Sequence, residues 1–101
     1  MKSKLKHIVL VKFKEGVDEN AIDAVFSDIL DASENVPHVD DYVQGPNDSK
    51  EGFNQGYTHG FVMTFSDKYA RDNYLMHPEH DRIKKLLEPL QDSILVFDFE
   101  V

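Results

Sequence analysis

The sequence predicts an α+β domain of element order β-α-β-β-α-β, the ferredoxin-like arrangement, in which four antiparallel strands lie under helices on a single face. Three observations predict it. A β-branched run opens the chain, one long segment repeats its apolar residues every three to four positions, and two later segments alternate apolar and other residues with period two. With 101 residues, 41% of them apolar and 30% charged, the chain has room for one domain and one modest core.

Leu5 to Phe13 reads as a strand with Val9, Val11 and Phe13 on one face and Ile8 and Leu10 on the other, so both faces want cover. Asp18 is placed to cap a helix running to about Asn35, with Glu19 in its first turn and Ile22, Val25, Phe26, Ile29 and Leu30 forming one apolar stripe. Pro37 stops that helix. Val39 to Gly45 is a short strand whose Asp40 and Asp41 carry the acidic content of a sheet edge. The run from Gly45 to Gly52 is the most turn-rich in the chain and must be a loop. Tyr57 to Phe65 alternates, placing Tyr57, His59, Phe61, Met63 and Phe65 on one face. Ser66 is a candidate cap for a helix from Asp67. Because Pro78 suits a first turn and not a helix interior, two segments, about 67–76 and 79–90, are expected in place of one. Ser93 to Glu100 is the last strand, with Leu95, Phe97 and Phe99 on one face and Ile94 and Val96 on the other.

Strands 1, 3 and 4 thus carry apolar side chains on the face that no helix covers. A patch of several hundred Å2 is larger than monomers usually leave exposed, which predicts a homodimer joined sheet to sheet. The formal charge of −8 repels phosphate backbones and argues against nucleic acid as a partner. The chain has no cysteine, which removes disulfides and thiolate chemistry and fits a cytoplasmic setting. The apolar run Ile8 to Val11 is too short for a signal-peptide core or a membrane span, so a soluble, unprocessed chain is expected.

The functional reading rests on polar residues at core positions. His7 shares a face with Val9 and Val11, His59 with Phe61 and Met63, and His80 with Ile83, Leu87 and Leu90. Tyr74 joins the same inner surface if the helix bends at Pro78. An imidazole in an apolar layer needs partners for both ring nitrogens, so three of them with a tyrosine point to a lined cavity for a small organic molecule. The bland alternative is that each is a satisfied core histidine. His7 and His59 lie up to ~13 Å apart at strand rise, which argues against their acting as a pair. His77 and His80 superficially suggest zinc, but no third ligand is evident. Asp98, alone among apolar neighbours, either pairs with a lysine such as Lys6 or Lys12 or reaches water at the strand end.

The stretches Lys6-His7-Ile8-Val9-Leu10-Val11-Lys12-Phe13, Gly56-Tyr57-Thr58-His59-Gly60-Phe61, Tyr74-Leu75-Met76-His77-Pro78-Glu79-His80 and Phe97-Asp98-Phe99 together resemble the stress-responsive dimeric A/B barrel (Dabb) family over nearly the whole chain. The resemblance implies a ferredoxin-like protomer that dimerises into an α/β barrel. It also implies polyketide cyclase-like, metal-free aldol or lyase chemistry, with Tyr74 and His80 as catalytic residues and His7 and His59 as substrate-binding residues. No cofactor is implied beyond a structural magnesium ion on the main-chain carbonyls of Ser33, Val36 and Val39. Two other readings stand beside it: a non-enzymatic stress or assembly protein, and a monooxygenase on the same architecture.

Overall fold

The computed structural model describes residues 3–101. The elements run β1 (Leu5–Phe13), α1 (Glu19–Glu34), β2 (Val39–Pro46), β3 (His59–Phe65), α2 (Lys68–Leu75), α3 (Pro78–Leu87) and β4 (Gln91–Glu100). The four strands form one antiparallel sheet in the order β2-β3-β1-β4, so the ferredoxin-like fold is as expected, with its second helical region split in two.

Asp18 caps α1, its carboxylate accepting from the Ala21 N–H at 2.9 Å, and Ile22, Val25, Phe26 and Ile29 are buried against the sheet. Leu30 sits at the rim of that stripe and is partly exposed. The chain turns out of α1 through His38, whose φ of 65° lies in the left-handed region. The cap of α2 is Asp67, which accepts from the Ala70 N–H at 2.9 Å. Ser66, the expected cap, instead donates its hydroxyl to Asp40 at 2.9 Å, because the helix begins at Lys68 and leaves Ser66 one residue before the cap position. The β4 strand begins two residues before Ser93, since a register irregularity at Lys12 and Phe13 lets Gln91 pair with Phe13.

Cross-strand partners share a face. On the helix side, His7, Val9 and Val11 of β1 and Phe61, Met63 and Phe65 of β3 are buried with Tyr74, Ile83 and Leu87. On the other side lie Ile8, Leu10, Val43, Val62, Leu95, Phe97 and Phe99, with Phe97 61% exposed. Gly60 keeps that face flat: a Cβ there would meet Leu10 Cδ2 at 2.9 Å and the Val9 carbonyl at 3.1 Å. Ile94 and Val96, on the helix side of the edge strand β4, are also exposed.

Candidate functional site

His7, Tyr74 and His80 are brought together where β1 meets the α2–α3 junction. The Tyr74 ring lies 5.8 Å from the His7 ring and 4.9 Å from the His80 ring, edge to face in both cases, and 5.3 Å from Phe65. The break at Pro78 makes this possible: it re-aims the chain so that Tyr74, near the end of α2, faces His80, in the first turn of α3.

Hydrogen bonds fix the tautomers. His7 Nδ1 lies 2.8 Å from Asp98 Oδ1, across the β1–β4 register. His80 Nδ1 lies 3.1 Å from the Leu75 carbonyl. A carbonyl or an ionised carboxylate can only accept, so in both neutral rings Nδ1 carries the proton and Nε2 presents a lone pair. Burial holds the His7 pKa below its ordinary value by stripping water from the imidazolium, and this outweighs the attraction of Asp98; the charges of His80 and Arg71 act in the same direction as burial. Burial pushes the Tyr74 hydroxyl well above the usual phenol range, so it stays protonated and can donate.

The cluster is close-packed: Tyr74 is 1% exposed and His7 5%. Among the described residues no sealed side-chain nitrogen or oxygen lacks a hydrogen-bond partner. Within the described residues, the Tyr74 hydroxyl and the Nε2 atoms of His7 and His80 take part in no hydrogen bond, and none of these atoms is sealed from solvent.

His59 stands apart. It pairs with Val11, four residues along β1 from His7, or ~13 Å at strand rise. Its ring packs edge to face on Phe13 at 5.4 Å, its Nδ1 lies 2.8 Å from Thr58 Oγ1, and its Nε2 lies 3.8 Å from Glu19. There it lines a cavity of about 260 Å3 with Ile22, Phe26, Gln44 and Pro46. His77, the other half of the superficial zinc pair, caps α3 by accepting the Glu79 N–H on Nδ1 at 3.0 Å. Among the described residues no group of three or more histidine or acidic side chains is placed to hold a metal ion. The Ser33 carbonyl already accepts the Val36 N–H at 3.2 Å and keeps one lone pair. Ser33, Val36 and Val39 thus offer a hard cation neutral oxygens without a carboxylate, a donor set that fits only a weakly held ion.

Asp98 pairs with neither lysine. Lys6 donates to Thr64 Oγ1 at 2.9 Å and Lys12 faces Asp92 at 3.6 Å, because Lys6 is on the uncovered face while the register puts Asp98 beside His7 under the helices. The second carboxylate oxygen of Asp98 accepts from Arg71 Nη1 at 2.9 Å. Sequence reasoning missed Arg71, whose periodic position on α2, three residues before Tyr74, was the available signal.

A four-stranded ferredoxin-like protomer with a histidine–tyrosine cluster at its helix junction defines the class. Residues 5–101 match the Stress responsive A/B Barrel Domain (Dabb), and the chain belongs to that family. It is 30% identical over 99 residues to the stress-response A/B barrel domain-containing protein HS1 of Arabidopsis thaliana, covering 98% of this chain and 91% of that one. Olivetolic acid cyclase of Cannabis sativa is 24% identical over 95 residues, covering 94% of each. Among solved structures, the hydroxynitrile lyase of Passiflora edulis superposes with a TM-score of 0.89 at 20% identity, covering 100% of this chain and 95% of that one. A dimeric ferredoxin-like protein of unknown function from Jannaschia superposes at 0.80 with 34% identity, covering 97% and 99%. No helix among the described residues is long and apolar enough to cross a membrane.

Proposed function

We propose that the chain is a homodimer, joined through its uncovered sheet faces, that binds a small organic molecule at Tyr74, His80 and His7 and moves a proton at a carbon beside a carbonyl. One observation carries this reading: the Leu75 carbonyl holds His80 with Nε2 as acceptor, 4.9 Å ring to ring from a tyrosine whose hydroxyl is free to donate. His80 Nε2 takes the α-proton, the Tyr74 hydroxyl hydrogen-bonds the developing enolate oxygen, and the same imidazole returns the proton to the product. His59, far along the strands, contacts the distal end of an elongated ligand and not the reacting atoms. A magnesium ion on the carbonyls of Ser33, Val36 and Val39 would tie the end of α1 to β2 and take no part in the chemistry. Likeness to a cyclase and a lyase supports this class of reaction.

The test is hydrogen–deuterium exchange at the α-carbon of β-keto thioesters in D2O, followed by NMR. The wild-type chain is expected to accelerate exchange, and His80→Ala to lose about 10²–10⁴-fold. Tyr74→Phe should lose rate while binding persists. No acceleration by the wild-type chain across β-keto thioesters and linear poly-β-ketides would overturn the reading. The close packing of Tyr74 favours the second reading, a non-enzymatic protein in which these side chains are core; there, Tyr74→Phe and His80→Ala would change thermal stability alone.

A further inference from the structure

We infer that Arg71 is a positioning residue of this site: by holding Asp98 it orients His7 with Nε2 as a second proton acceptor, and it ties the helix that carries Tyr74 to the sheet edge. The inference rests on the reading of the Tyr74–His80–His7 cluster as the site of chemistry, but its test does not.

The arrangement is a chain of three groups from three elements. Arg71 on α2 donates Nη1 to one oxygen of Asp98 on β4, at 2.9 Å, and the other oxygen of Asp98 takes the Nδ1 proton of His7 on β1, at 2.8 Å. Arg71 Nε is held in turn by Asp72 Oδ1 at 2.8 Å, so the guanidinium fork spans two carboxylates in a way an ammonium group does not reproduce. β4 is one of the two edge strands, paired among the described residues with β1 alone. The Arg71–Asp98 pair therefore joins the sheet edge to α2, one turn ahead of Tyr74.

Its chemical consequence follows from the charges around His7: Asp98 on β4, Arg71 and the protonated Tyr74 on α2, and His80 on α3. The Asp98 carboxylate pulls toward a proton on both ring nitrogens, which would convert Nε2 from acceptor to donor, and burial of the ring opposes that pull. Arg71, by donating to that carboxylate, adds to burial in holding the pair as carboxylate and neutral imidazole. The site then presents two lone pairs, on His7 and His80, and one hydroxyl donor, on Tyr74. That set matches a ligand with a carbonyl oxygen flanked by groups that give up protons.

The test is nitrogen-15 NMR of the histidine rings across pH. The wild-type His7 should show the Nδ1–H tautomer and a titration midpoint below that of a free histidine. Arg71→Gln should move the midpoint upward, Arg71→Lys should return it toward the wild-type position, and Asp98→Asn should move it downward. A folded Arg71→Gln chain with an unmoved midpoint overturns the inference. If Arg71→Gln does not fold, the wild-type tautomer decides: Nδ1–H supports the inference and Nε2–H overturns it. These readouts need no substrate, so failure of the proton-transfer reading appears separately, in the exchange assay.

Discussion

Phe97→Ala tests the two-fold sheet-to-sheet association most directly. Phe97 is 61% exposed on the uncovered face, in register with Ile8 of β1. An aromatic side chain buries about 150–250 Å2, so a partner sheet closing over Phe97 would remove about 120 Å2 from water. At about 25 cal/mol per Å2 this contributes about 3 kcal/mol per copy, or about 6 kcal/mol in a two-fold dimer where the residue counts twice. Truncation to alanine forfeits most of it, which weakens the dimer by about three to four decades in Kd. Sedimentation equilibrium over a wide concentration range measures this. The control is Phe53→Ala, a residue 74% exposed in the β2–β3 loop and off the sheet face, which should leave assembly unchanged. A wild-type chain that stays monomeric at tens of micromolar, or a Phe97→Ala chain that dimerises as tightly as wild type, would refute the argument from the uncovered face.

Two further outcomes follow from local geometry. Because the folded His7 pKa lies below its free value of 6.5, the unfolded chain binds more protons between those two values. Stability is therefore full above 6.5 and falls as pH drops through that window, and His7→Gln should flatten the slope of melting temperature against pH there. Asp40, held below its ordinary 3.8 by hydrogen bonds from Lys4 and Ser66, loses its contribution only as pH falls below 3.8 and does not confuse the reading. Asp67→Ala should cost about 1 kcal/mol by removing the cap of α2, which lowers the melting temperature by about 4–8 °C, while Ser66→Ala costs less; the reverse order would restore Ser66 as the cap.

Period and punctuation made most of the fold legible. The alternation of β3 and the stripe of α1 each name the buried face, and Pro78 marks the break that the structure places between α2 and α3. Capping was read one residue early at Ser66 because both serine and aspartate are good caps and only the backbone angles choose between them. The inward face of His7 and His59 was readable from their neighbours, but their separation along the sheet sets which of them meets Tyr74. Asp98 stood out as an acid in an apolar strand, yet its partners were hidden. They depend on the register between the first and last strands and on which face of α2 turns inward, and neither is local in sequence.

The register of β1 also governs how the chain comes together. β1 is an inner strand of the sheet, flanked by β3 and β4, so its backbone amides and carbonyls wait for partners made much later: His7 meets Asp98 across 91 residues. A strand that is apolar on both faces and finds its neighbours only at long sequence separation makes folding slow relative to a helical bundle of the same size. The nascent first strand is in the meantime a sticky segment, with bare edges on both sides. Dilution or a chaperone should then raise the refolding yield far more than they raise the stability of the finished domain.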